Sequence, residues 1–203
     1  MEIRSIVFDF DGTLIDSNNL KYNAYFRLFP TDDHHEQIIR LVLSEFFEKS
    51  RYMILEKIFH KLGNVQPLFL EEKIKKLAFR YNEIVVAGAK QCPEKPGAEK
   101  ALRKLTQAYD LYVSSTTPDA ELKKIIQYRK WNDYFRGVFG YPHEKSATLR
   151  HIMTAENLTS DEILVVGDGE SDRKSARDNN CPFMRVGDNF CFEDLGRVID
   201  SAF

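Results

Sequence analysis

Aspartates recur in pairs along this chain. Asp9 and Asp11 stand two residues apart in DFDGT (residues 9–13), and Asp168 and Asp172 four apart in GDGESD (residues 167–172). Between the pairs lie a run of hydroxyl residues, Ser114 to Thr117, and Lys145. Several carboxylates in one crevice repel each other unless a cation sits among them. Oxygen ligands of this kind suit a hard divalent cation, Mg2+ above all. No His or Cys accompanies these aspartates, which argues against zinc. Lys145 adds a compact positive charge that can neutralise phosphate oxygens. Ser115, Thr116 and Thr117 offer hydroxyls and backbone N–H groups, and a helix opening after Pro118 adds its positive end. Carboxylates, a divalent cation, a lysine and a hydroxyl-rich loop are the parts of a phosphoryl-transfer site, where positioning and charge stabilisation supply most of the catalysis.

Residues so far apart in sequence need a fold that gathers them. IRSIVFDF (residues 3–10) reads as a strand running into a turn at Gly12. Later segments alternate. A helix is expected over 98–107, a strand over 111–115, a helix from Pro118 towards Arg129 and a weak strand over 137–140. A helix over 147–156, an apolar strand over 163–166, a helix over 171–178 and a last strand over 182–186 complete the series. Strands alternating with helices imply a parallel α/β sheet, and the continuously apolar run 163–166 implies burial on both faces. In such sheets the ligand site forms beyond the carboxyl ends of the strands, at a switch in strand order. Asp9, Asp11, Ser115, Thr116, Asp168 and Asp172 all fall at those ends, and Lys145 precedes a helix in the same half.

Residues 18–88 follow a different rule. Ile38, Val42 and Phe46 recur at spacing four, as do Ile39, Leu43 and Phe47, and Ile54 with Ile58. This is helical periodicity, with breaks expected near Pro30, Gly63-Asn64 and Gly88. An all-helical insert within the α/β chain is the expectation.

Bulk properties narrow the class. The 203 residues are 43% hydrophobic and 30% charged, with a formal net charge of −2. That composition fits a soluble globular chain, not a disordered one. The balanced charge gives no support for nucleic-acid or membrane-surface binding. Cys92, Cys181 and Cys191 are too few and too scattered for a disulfide framework. No signal-peptide core and no membrane-length apolar run is seen, so a cytoplasmic protein is expected. Oligomeric state is not set by these features.

At this point the motifs resemble a known family. DFDGTLIDS (9–17) resembles the first motif of the haloacid dehalogenase superfamily, VSSTTP (113–118) the second, Lys145 the third, and VVGDGESD (165–172) the fourth. The resemblance implies a Rossmann-like α/β core over 1–16 and 89–203, with a helical cap inserted at 17–88, as in the phosphoglycolate phosphatase and β-phosphoglucomutase group. It implies that Asp9 is the nucleophile and Asp11 the general acid and base, with Ser115 and Lys145 at the phosphoryl group. It places Mg2+ on Asp9, the backbone carbonyl of Asp11 and Asp168, with Asp172 a further ligand, direct or through water, or the residue that orients Lys145, and substrate contacts at Gly12, Thr13, Thr116 and Arg51. The sequence departs from the family pattern at Thr116, where Asn is frequent, and at Ser146, where Pro is frequent. Ser50-Arg51 resembles the substrate-binding segment of β-phosphoglucomutase-type caps, although an Arg on a solvated helix face is the simpler reading. A Mg2+-dependent phosphatase acting on a small phosphorylated molecule is expected. A sugar phosphomutase and a non-catalytic binding module are the alternatives.

Overall fold

A computed structural model describes residues 2–47, 49–63, 67–187 and 190–202. The chain divides into two compact units, Met1–Ser17 with Cys92–Phe203, and Asn18–Gln91.

The first unit is built on five parallel strands: β1 (Ser5–Phe8), β2 (Asp110–Pro118), β3 (Gly137–Tyr141), β4 (Ile163–Gly167) and β5 (Phe183–Arg185). Their order is β3-β2-β1-β4-β5. The chain therefore builds outward from β1 to β3, then returns to the other side of β1. That return is the switch point, and it lies between β1 and β4. Val7, Tyr112, Ile163 and Val165 pack on one face with Leu149 and Ile152 of a helix at Lys145–Glu156. Ile6, Phe8, Leu111, Val113, Leu164 and Val166 alternate with them and are equally buried. Both faces are covered, as the continuous apolar strands require.

The second unit holds four helices: α1 (Asn18–Phe26), α2 (Asp33–Phe46), α3 (Arg51–Leu62) and α4 (Pro67–Ala89). Their shared core includes Ile39, Val42, Leu43, Ile54, Ile58 and Tyr81. The periodic residues of the sequence thus point inward. Asp32 caps α2, its side chain accepting from the His35 N–H, and Gly63 ends α3 with φ 68. The neighbouring Asn64, part of the same expected break, lies outside the described residues.

The remaining helices of the first unit are α5 (Ala98–Leu105), α6 (Asp119–Tyr128), α7 (Lys145–Glu156), α8 (Glu170–Asp178) and α9 (Leu195–Ala202). Several expected boundaries move. The break expected near Gly88 falls one residue on, where α4 ends at Ala89. A Cβ on Gly88 would meet Leu20 Cδ1 at 2.5 Å, so this glycine also serves close approach of α1. β2 extends three residues past its expected end, because the pairing with β3 resumes at Pro118 after a register shift. α9 was not anticipated; Leu195 and Ile199, four residues apart, are its buried face. No helix of the described residues is long and apolar enough to cross a membrane.

Candidate active site

The carboxyl end of β1 opens the site. The Asp9 N–H donates to Val166 O of β4 at 2.9 Å, which fixes the residue at the switch point. The chain then turns tightly. Gly12 sits at φ 79, a conformation that favours glycine, and its N–H donates to Ile15 O. This turn returns the backbone so that Asp11, like Asp9, is buried at the strand end.

Asp9, Asp168 and Asp172 bring oxygens within 4.8 Å of one another. Each is placed by a different device. Thr13 Oγ1 donates to Asp168 Oδ1 at 3.1 Å and accepts from the Asp168 N–H at 3.1 Å. Asp172 lies in the first turn of α8, and its Oδ2 accepts from the Gly169 N–H at 3.3 Å. Gly167 makes room, since a Cβ there would meet Asp172 Cγ at 2.4 Å.

Lys145, the first residue of α7, reaches into this group. Its Nζ donates to Asp9 Oδ1 at 2.8 Å and to Asp172 Oδ1 at 2.6 Å. Burial alone would push the ammonium's pKa down. The carboxylates of Asp9 and Asp172 outweigh it and hold the pKa above its ordinary value. Burial also pushes the Asp172 carboxyl up, against the pull of Lys145. Counted formally, three carboxylates against one ammonium leave two negative charges, which a divalent cation would match, and oxygen donors of this kind suit Mg2+.

Asp11 faces a different group. Its Oδ1 accepts from Ser17 Oγ at 2.9 Å, and its Oδ2 from Thr117 Oγ1 at 2.6 Å. Ser115 Oγ lies 3.5 Å from the same Oδ2. The Asp11 carboxyl group is therefore engaged by hydroxyls on both of its oxygens.

The first unit thus gathers Asp9, Asp11, Gly12, Thr13, Ser115, Thr116, Lys145, Asp168 and Asp172. Two of them differ in detail from the sequence expectation. Thr13, expected at the substrate, is fully buried and gives its hydroxyl to Asp168. Thr116 is exposed, while its neighbours Ser115 and Thr117 are buried. Alternation along β2 puts those two on one side and Thr116 on the other. Arg51 belongs to the helical unit, where it donates to Asn82 Oδ1 and lies over the Tyr52 ring. Its Nε is buried with no hydrogen-bond partner among the described residues.

The sequence assigns no role to Ser17, and to Thr117 only that of one hydroxyl among three in the loop. Ser17 closes the first motif, and Thr117 stands at the period-two position after Ser115. That periodicity was the available signal.

Comparison with known proteins agrees with this architecture. The family model described as haloacid dehalogenase-like hydrolase matches residues 6–186. A phosphoglycolate phosphatase from Psychrobacter arcticus is 24% identical over 187 residues, covering 89% of this chain and 81% of the relative. A Haemophilus somnus protein provisionally named a phosphoglycolate phosphatase superposes with a TM-score of 0.74 at 17% identity, covering 98% of both chains. A Thermotoga maritima protein provisionally named a β-phosphoglucomutase gives a TM-score of 0.67 at 17% identity, covering 99% of this chain and all of the other.

Proposed function

This chain belongs to the haloacid dehalogenase-like hydrolases, and from that premise we propose that it is a phosphatase acting on a small phosphorylated molecule through an aspartyl-phosphate on Asp9. The observation that carries the reading is the company Asp9 keeps. Its buried carboxylate is paired with Lys145 at 2.8 Å, beside two further carboxylates, with Asp11 two residues on. A lone buried carboxylate is expensive, and the Lys145 ammonium offsets the negative charge that attack on phosphorus requires.

In the proposed reaction an Asp9 oxygen forms a bond to phosphorus as the bond to the leaving oxygen breaks. Asp11, as the carboxylic acid, gives its proton to that oxygen and the alcohol departs. Asp11, now a carboxylate, takes a proton from water as the water oxygen bonds to phosphorus. The Asp9–phosphorus bond breaks, giving inorganic phosphate, and Asp9 returns to a carboxylate. Lys145 holds Asp9 in place and offsets phosphoryl charge. Ser115 would donate to a phosphoryl oxygen.

Asp9, Asp168 and Asp172, with the carbonyl of Asp11, would hold Mg2+, for which their donor set is suited. When bound, the cation supplies positive charge to the phosphoryl oxygens. The helical unit, inserted between the first and second motifs, is read as the cap that selects the substrate, with Arg51 as a substrate contact. The curated and structural relatives named as phosphoglycolate phosphatases support a phosphatase over other chemistries of the family. Asp11 supports it too, since an acid and base two residues after the nucleophile serves ester cleavage.

The test is phosphate release from sugar phosphates, nucleotides and phosphoglycolate with Mg2+, for the native chain and for Asp9→Asn. The native chain should release phosphate from at least one substrate, and the variant should lose about a thousandfold or more. Undiminished turnover by Asp9→Asn would overturn the mechanism. Isomerisation of a sugar 1-phosphate without free phosphate would replace the phosphatase reading with a mutase.

A further inference from the structure

The hydroxyl nearest to Asp11 is that of Thr117, and it is held there by several independent constraints. Its Oγ1 donates to Asp11 Oδ2 at 2.6 Å, a short hydrogen bond. Ser115 lies 3.5 Å from the same oxygen, too far for a bond of comparable strength. Ser115 Oγ instead accepts from the Thr117 N–H at 3.0 Å. That bond ties down the Thr117 backbone.

Three further features fix the direction of the Thr117 hydroxyl. A residue before proline is confined to extended conformations, and Pro118 follows Thr117. A β-branched side chain has few χ1 choices. Gly140 of β3 presses against the backbone, since a Cβ there would lie 2.5 Å from Thr117 O. The register shift between Ser114 and Pro118 then turns this segment away from a regular ladder with β3. The result is a buried hydroxyl aimed at one oxygen of a buried carboxylate, 9% and 4% exposed respectively.

We propose that Thr117 is a positioning residue for Asp11, fixing the rotation of its carboxyl group for proton transfer to the leaving oxygen. Ser17 grips Oδ1 and Thr117 grips Oδ2, so rotation about the Cβ–Cγ bond is restrained from both sides. Thr117 acts through Asp11 and needs no contact with substrate. This inference rests on the phosphatase reading and assigns one further residue to it.

The experiment compares two phosphate monoesters that differ in their need for an acid. Glycerol 2-phosphate has a poor leaving group and requires protonation; p-nitrophenyl phosphate has a good one and does not. The parameter read is kcat/KM, which covers steps only through departure of the leaving group. Thr117→Val, nearly isosteric but without the hydroxyl, should lose about tenfold on glycerol 2-phosphate and under about threefold on p-nitrophenyl phosphate. Thr117→Ser should stay close to the native chain on both. In an Asp11→Asn background, Thr117→Val should add no further loss on glycerol 2-phosphate, because the group it positions has lost its proton chemistry. Thr117→Ala serves as the second variant should the valine substitution disturb folding.

Equal loss on both esters, or a full additional loss in the Asp11→Asn background, would overturn the proposal. So would native values for Thr117→Val on both. In those cases Asp9→Asn would still abolish turnover, and the phosphatase reading would stand. A native chain inactive on both esters and on the sugar phosphates, nucleotides and phosphoglycolate above would remove that reading and this inference together.

Discussion

Lys145 stands in the position where charge balance at this site is decided. Its ammonium lies within 2.8 Å of Asp9 and 2.6 Å of Asp172, with both partners almost fully buried. Removing one partner of a buried ion pair leaves the other uncompensated, at a cost of about 3–5 kcal/mol. Lys145→Met keeps much of the side-chain volume and deletes the charge. It should lower stability by about that amount in chelator, measured by denaturant unfolding, and by clearly less with saturating Mg2+, since a bound cation replaces the lost charge. An equal loss in both buffers would mean that no cation joins these carboxylates. The pH dependence follows from the direction of the Lys145 shift. Its folded pKa is raised above the ordinary 10.5, so its stabilisation is fully present below that value. It is lost only as pH rises through the still higher folded value. The stability gap between the native chain and the methionine variant should therefore hold constant from about pH 7 to 9. A gap that shrinks across that window would show that the ammonium is not held charged by these partners.

The elements set how closely such groups approach. β4 ends at Gly167, and α8 starts three residues later, so Asp172 folds back over the strand end. With Asp172 Cγ only 2.4 Å from a Cβ placed on Gly167, Gly167→Ala must move α8 or the carboxylate. Overpacking of this kind costs about 1–3 kcal/mol. The variant should melt lower and bind Mg2+ more weakly, read by calorimetry without substrate; unchanged affinity would show that Asp172 is not among the ligands. The same close packing explains what the sequence could and could not convey. The apolar strands and the helical periodicity of residues 38–62 were readable because burial follows spacing directly. Asp9, Asp11, Asp168 and Asp172 were readable because strand ends in a parallel sheet converge. Period-two spacing puts Ser115 and Thr117 on one side, but which of the two makes the short bond to Asp11 was not readable. That choice depends on a register shift in β2, which depends in turn on the packing of Gly140 against Thr117. Thr13 and Gly88 were opaque for a similar reason, since each answers to a partner distant in sequence, Asp168 and Leu20. The short α9 carried only Leu195 and Ile199 as its periodic signal.

At the scale of the whole chain, the helical unit enters and leaves the α/β unit through two neighbouring segments. The Asp16 N–H donates to Pro93 O at 2.9 Å, and the Lys95 N–H to Leu14 O at 3.0 Å. Ile15 and Glu94 form an antiparallel bridge, and Lys95 Nζ lies 3.6 Å from Asp16. Both segments belong to the α/β unit, so its two parts are held together without any residue of 18–91. Each unit also has its own apolar core. A short Gly-containing turn could therefore join Ser17 to Cys92 in place of the helices, closing the antiparallel pair as a hairpin does. The excised α/β unit should fold cooperatively, with a single unfolding transition in near-ultraviolet circular dichroism. It should still bind Mg2+, because Asp9, Asp168, Asp172 and the segments that hold them are all retained. Under the proposed role of the helices, discrimination among phosphate esters should fall, while p-nitrophenyl phosphate remains a substrate at a reduced rate. A product without fixed tertiary signal would show that the helices are needed to complete the core. A folded product that keeps the native substrate preference would place selectivity in the α/β unit and remove the cap assignment.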